Sequence, residues 1–189
     1  MTFKVGVFGS AEGDLDKILS KANELGEELA KHDVILITGA STGLPYKVAE
    51  TAAKFGIKVW GYSSATDLAT QKIHHPEVDP EVFDKFIFIP KDYEFASIKE
   101  ISMKYRNVTS TANCDAGIII SGRWGTLNEF TNLFDMGKVI GILTGTGGVA
   151  DELENLSKKI SKPSKAKIIF NPDPKKLVEL VLNGLEKSS

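Results

Sequence analysis

The sequence predicts an α/β fold, a single domain (residues 1–189) on a doubly wound, mainly parallel seven-stranded sheet with helices on both faces. Two observations predict it. Short β-branched runs alternate strictly with longer amphipathic stretches along the 189 residues, the pattern of parallel strands joined by right-handed crossover helices. Glycines and hydroxyl residues also gather where the strands end, on the edge at which such sheets bind ligands.

Seven strands are expected, at Lys4 to Phe8, Val34 to Thr38, Lys58 to Tyr62, Phe86 to Ile89, Gly117 to Ile120, Val139 to Leu143 and Lys167 to Phe170. In the first helix Leu15, Ile18, Leu19, Ala22, Leu25, Gly26 and Leu29 recur at helical spacing, and Asp14 is its expected N-cap. Further helices are expected over Pro45 to Phe55, Phe95 to Asn113, Thr126 to Met136, Val149 to Ile160 and Asp173 to Leu185. Ser63 to Lys85 breaks the alternation and reads as a surface excursion, with the long-loop character of a flap. Its adjacent His74 and His75 lack a third ligand at metal spacing, so no metal site is expected. The tail Glu186 to Ser189 is expected to fray.

The bulk numbers limit the partners. Lys plus Arg number 23 against 25 Asp plus Glu, a formal net charge of -2, so no overall basic field recruits nucleic acid or anionic membrane. An anionic ligand must then be held by a local site. The single cysteine, Cys114, forms no internal disulfide and reads as a small buried residue, which suits a reducing cytoplasm. No apolar run approaches the ~20 residues that span a bilayer, and the chain enters an apolar strand almost at once, so neither membrane nor export signals are expected.

Four strand-to-helix turns share one chemistry: Gly9-Ser10-Ala11-Glu12-Gly13, Gly39-Ala40-Ser41-Thr42-Gly43, Ser121 to Thr126, and Thr144-Gly145-Thr146-Gly147-Gly148. Any one is explained by tight-turn geometry, but four on one edge read as a shared polar crevice. The third is the most informative. Ser121-Gly122-Arg123-Trp124-Gly125-Thr126 joins an apolar strand to a helix, so its backbone N–H groups and the helix dipole converge on an anion. The spacing Gly39-x-x-x-Gly43 lacks the Lys-Ser/Thr pair of a P-loop.

With these motifs in place the chain resembles the LOG family, Rossmann-like proteins once labelled lysine decarboxylases. The carriers are Val5-Gly6-Val7-Phe8-Gly9-Ser10, Ile37-Thr38-Gly39-Ala40 with Gly43-Leu44-Pro45-Tyr46, Met103-Lys104-Tyr105-Arg106-Asn107, and Gly125-Thr126-Leu127-Asn128-Glu129. The resemblance implies a nucleoside 5′-monophosphate phosphoribohydrolase with Arg106 and Glu129 as catalytic residues, and a homodimer. Ser121-Gly122-Arg123 stands where that family usually has Pro-Gly-Gly. The Thr144 to Gly148 turn followed by Asp151 looks closer to a side branch that includes molybdenum-cofactor carrier proteins.

Each candidate residue also has a structural reading. Thr126-x-x-Glu129 fits a capping box as well as a carboxylate that stabilises an oxocarbenium-like state. Arg106 reads as a surface ion pair or as a bidentate anion clamp, and Arg123 as a phosphate contact. Trp124 reads as a stacking surface for a base or ribose, or as an aromatic tucked beneath its helix. Gly9, Ser10, Gly39, Ser41, Thr42, Gly43, Gly122, Gly125 and Thr126 complete the expected ligand-binding set. No cofactor is called for.

The expected function is hydrolysis of the N-glycosidic bond of a nucleoside 5′-monophosphate to base and ribose 5-phosphate. The alternative is a non-catalytic carrier or sensor of a phosphorylated heterocycle, a nucleotide or a molybdopterin-type cofactor. A dinucleotide oxidoreductase fits less well, because the first turn lacks the Gly-x-Gly-x-x-Gly spacing. For the dimer, Ile98, Ile101, Met103, Phe130, Leu133 and Phe134 are the apolar residues expected to form the surface.

Overall fold

The computed structural model describes residues 2–10, 18–160 and 162–187. In chain order these form β1 (Phe3–Gly9), α1 (Leu19–Leu29), β2 (Val34–Gly39), α2 (Leu44–Lys54), β3 (Lys58–Tyr62), α3 (Leu68–His74), a 3₁₀ turn (Pro80–Val82) and β4 (Lys85–Ile87). They continue with α4 (Lys99–Asn113), β5 (Ala116–Ile120), α5 (Trp124–Asp135), β6 (Val139–Leu143), α6 (Gly148–Lys159), β7 (Lys167–Asn171) and α7 (Pro174–Glu186). The strands lie in the order β4-β3-β2-β1-β5-β6-β7, and every neighbouring pair is parallel. All seven expected strands form, displaced at most two residues at an end. The expected Asp14 cap, the Leu15 start of the first helix and the Ala11-Glu12-Gly13 part of the first turn lie outside the described residues, as do Ser188 and Ser189.

A sheet with parallel strands must cover both faces, and alternation along the strands supplies two cores. Val5, Val7, Leu36, Ile118 and Ile120 face α1, α2 and α7 through Leu25, Val48 and Val181. Phe8, Ile37, Ile119 and Ile140 face α5 and α6 through Phe130, Leu133 and Leu153. Phe130 and Leu133 are therefore 7% and 0% exposed and are committed to the core, so they are not part of any dimer surface.

The helix α4 inverts the usual pattern. It buries Ser102, Asn107, Ser110 and Thr111 and leaves Ile98 before its first turn, Met103 and Val108 exposed. The buried hydroxyls are satisfied locally: Ser110 and Thr111 donate to the Asn107 carbonyl at 3.1 and 2.6 Å, the back-bonding open to small polar residues in helices.

Ser63 to Lys85 is not a loose excursion. It contains α3, and the buried Gln71 fastens that helix to the sheet. Gln71 Nε2 donates to the Ala40 carbonyl at 2.6 Å, and its Oε1 accepts from Ser63 Oγ at 2.6 Å. The Tyr46 hydroxyl accepts from the Asp79 N–H at 2.9 Å, and Val78 and Phe83 are buried. Polar anchors hold this segment, and they carry no apolar periodicity to announce a helix. No helix among the described residues is long and apolar enough to cross a membrane.

Candidate functional site

The strand order reverses between β1 and β5, the switch point at which doubly wound sheets leave a crevice beyond the strand ends. A cavity of about 520 Å³ opens there. Its floor is Gly9 and Ser10 after β1 and Ser41 and Thr42 after β2; one wall is Arg123, Gly125, Thr126 and Glu129 at the start of α5. Lys99, Lys104, Arg106 and Asn107 of the neighbouring α4, and Ser64, His74, His75 and Glu77 of the segment after β3, complete the lining.

Most of the expected residues thus converge. Gly39, Gly43, Gly122 and Trp124 do not line the cavity. Trp124 is 82% exposed at the first position of α5, so it is not tucked beneath that helix. Gly39 acts through its lack of a side chain, since Arg106 lies against it.

The turn after β5 is sharply bent. Ser121 has φ 53° and Gly122 φ 106°, two successive left-handed residues that swing the chain into α5. A Cβ on Gly122 would also stand 2.5 Å from Thr126 Cβ. The turn after β6 backs it: the Ser121 N–H donates to Thr146 Oγ1 at 2.8 Å, and the N–H groups of Val149 and Ala150 donate to the Gly122 and Ser121 carbonyls at 2.9 and 3.1 Å. Asp151 in turn holds that second turn, accepting from Gly145 and Gly147 at 2.6 and 2.9 Å.

α5 begins at Trp124 with Arg123 as N-cap and no side-chain cap bond. The capping-box reading of Thr126 and Glu129 therefore fails, because the helix starts before Thr126 and places Glu129 beyond its first turn. The ladder opens with the Leu127 N–H to the Arg123 carbonyl at 2.9 Å. The N–H groups of Trp124, Gly125 and Thr126 precede it and have no intrahelical acceptor, which leaves a positive helix end at the cavity.

Glu129 is 6% exposed, lines the cavity, and makes no hydrogen bond to any described residue. Burial pushes its carboxyl up to about 7, against the pull of Arg106 and Lys104. Arg106 is half-buried; burial draws its pKa down while Glu129 opposes that shift. Its guanidinium is not spent on a surface ion pair. Nε and Nη2 donate to Asn107 Oδ1 at 3.3 and 3.0 Å, and Asn107 Nδ2 reaches Asn128 Oδ1 at 3.2 Å. Asn107, which sequence reasoning did not single out, thus ties the cation to α5. Its only signal was its place beside Arg106.

His75 was also missed as a site residue. It lies at the end of α3 and lines the cavity half-buried. Burial lowers its pKa, Arg106, His74 and Lys99 lower it further, and Glu77 opposes them, so the imidazole is neutral near pH 7.

The X-ray structure of TM1055 is similar with a TM-score of 0.79 at 19% identity, over 97% of this chain and 99% of that one. The molybdenum cofactor binding protein of the phototrophic bacterium Rippkaea orientalis is similar with a TM-score of 0.71 at 19% identity, over 98% of each chain. DNA processing protein A of Helicobacter pylori, described for its single-stranded DNA binding mode, is similar with a TM-score of 0.63 at 19% identity, over 98% of this chain and 81% of that one. At these identities the likeness is one of fold. No curated protein matches this chain. The model of the SLOG cluster4 family matches residues 2–178, and with nearly the whole chain inside that match, crevice and helix turns included, the protein belongs to the SLOG cluster4 family.

Proposed function

We propose that this protein binds a phosphorylated heterocycle, a nucleotide or a pterin-type cofactor, as a carrier or sensor. The observation that carries the reading is the convergence of Lys99, Lys104, Arg106 and Arg123 with the open N-terminus of α5 on one cavity of about 520 Å³. Against these cations stand Glu77, Glu100 and Glu129, and Glu129 is part-protonated near neutrality. Among the described lining residues the site is therefore net positive, inside a protein whose formal charge is -2. The volume suits a small ligand. That of the Rippkaea orientalis relative, a molybdenum cofactor binding protein, is of the same chemical class. The DNA processing relative raises a polynucleotide as the competing ligand, and the negative overall charge weighs against it.

Glu129 supports a second reading, hydrolysis of a nucleoside 5′-monophosphate. An ionised carboxylate beside the sugar stabilises the developing oxocarbenium cation and orients water. The water oxygen then bonds to the anomeric carbon as the N-glycosidic bond breaks, and the proton that the water gives up balances the one that the departing base takes up. A reducing cytoplasmic setting and a homodimer formed through the outward face of α4, at Ile98, Ile101 and Met103, belong to the same proposal.

Calorimetry with AMP, GMP, CMP, UMP, IMP and a pterin monophosphate, with a single-stranded oligonucleotide as control, tests the first reading. Micromolar binding of a small phosphorylated heterocycle is the expected result, and binding of the oligonucleotide alone overturns it. Chromatography of the same mixtures for free base decides between carrier and hydrolase.

A further inference from the structure

The cavity has a length as well as a charge. Its α5 wall belongs to the turn after β5, and its far end belongs to the segment after β3. In the sheet order β3-β2-β1-β5 these are three strand steps apart. At about 4.8 Å per step those two strand ends are about 14 Å apart. A phosphate seated at the start of α5 therefore directs the rest of its molecule across the strand ends of β1 and β2, over Ser10 and Ser41, towards His75.

His75 is held in place at that end. Its N–H donates to the Gln71 carbonyl at 2.9 Å, and Gln71 is itself bonded to the Ala40 carbonyl and Ser63. The wall carrying the imidazole is thus fastened to the turns after β2 and β3. The imidazole itself makes no hydrogen bond to any described residue, although it is half-buried and faces the cavity. A neutral imidazole offers one donor and one acceptor on opposite sides of its ring, so it can give one directional hydrogen bond to a ring nitrogen or exocyclic group while bringing no charge to bind a phosphate.

Resting on the proposed function above, we infer that His75 is the specificity-determining residue for the heterocycle, reading the ring edge at the end of the cavity opposite the phosphate. The cavity thus divides its work: α5 and Arg123 hold the anion, and α3 presents the group that distinguishes a ring-bearing ligand from a bare sugar phosphate.

The test compares AMP and GMP with ribose 5-phosphate, which carries the phosphate and no ring, by calorimetry on the full chain. Wild type is expected to bind at least one nucleotide about tenfold or more tightly than ribose 5-phosphate. His75→Ala is expected to remove that advantage and leave ribose 5-phosphate unchanged, whereas Arg123→Ala weakens all three. His75→Gln, which keeps a donor and an acceptor, is expected to retain part of the advantage and serves if the alanine variant does not fold. Unchanged nucleotide preference in both His75 variants overturns the inference and leaves the binding function standing. Equal weakening of ribose 5-phosphate by His75→Ala overturns it as well, because His75 would then serve the anion. If wild type binds none of the three, the proposed function for nucleotides fails and this inference fails with it.

Discussion

The guanidinium of Arg106 lies flat against the bare Cα of Gly39. A Cβ built there would stand 3.0 Å from Nη1 and 3.1 Å from Cζ. Gly39→Ala is therefore expected to fold, since the obstacle is the end of a flexible side chain, while shifting the guanidinium by a few tenths of an ångström. A several-fold loss of nucleotide affinity with little change in Tm is the expected outcome, measured by calorimetry and thermal melting.

Asn107 is the hinge between the cation and α5. Asn107→Ala leaves Asn128 without the 3.2 Å donor and Arg106 without its acceptor. The loss of these part-buried bonds is expected to cost about 1–3 kcal/mol. Denaturant melts read the stability loss, and nucleotide affinity is expected to fall in parallel. An unchanged melt would separate Asn107 from the site.

The stability of the protein should carry a signature of Glu129. Its folded pKa of about 7 lies above the ordinary 4.5, so between those values the folded state keeps a proton that the unfolded chain has released. Its contribution therefore falls as pH rises through that window, and the penalty is complete above 7. Glu129→Gln is expected to be more stable than wild type at pH 8, by about 3 kcal/mol at most, with the gap closing towards pH 4. Equal melts at pH 8 would contradict this. If the protein is a hydrolase, the same variant keeps ligand binding and loses base release by orders of magnitude.

Thr38 offers a prediction free of any ligand. Its hydroxyl is fully buried and has no hydrogen-bond partner among the described residues. Thr38→Val keeps the shape and removes the unsatisfied group, so a gain of about 1 kcal/mol is expected, read as a rise in Tm. A fall would mean that the hydroxyl is satisfied by water.

The legible part of the fold was the part driven by apolar periodicity. The strands were legible as short β-branched or aromatic runs set between amphipathic stretches, and the turn after β5 was singled out by the glycines between its strand and its helix. Helix starts were less accessible. α4 begins at Lys99, later than Phe95, because Tyr93 to Ile98 closes turns of its own, with the Ala96 N–H on the Tyr93 carbonyl and the Ile98 N–H on the Phe95 carbonyl. α3 went unseen because its anchor is Gln71, a polar residue satisfied by distant backbone. The orientation of α4 was hidden for a related reason: it buries serine, threonine and asparagine, so its apolar residues mark the outside. Arg106 and Glu129 were legible as residue types, whereas His75 joins them only through the topology that brings the segment after β3 to the crevice.

The interlocked turns after β5 and β6 have a kinetic consequence. A Cβ on Gly148 would collide with the Gly122 carbonyl, so the backing turn fits the cradle with no room to spare. Under the proposed function, the amide dipoles of the turn are thus oriented during folding, before any anion arrives, and the entropy of ordering that loop is not charged to the encounter. Arrival is then governed by diffusion and steering, and changes at Thr146 or Gly148, neither of which lines the cavity, would act chiefly on how long the ligand stays.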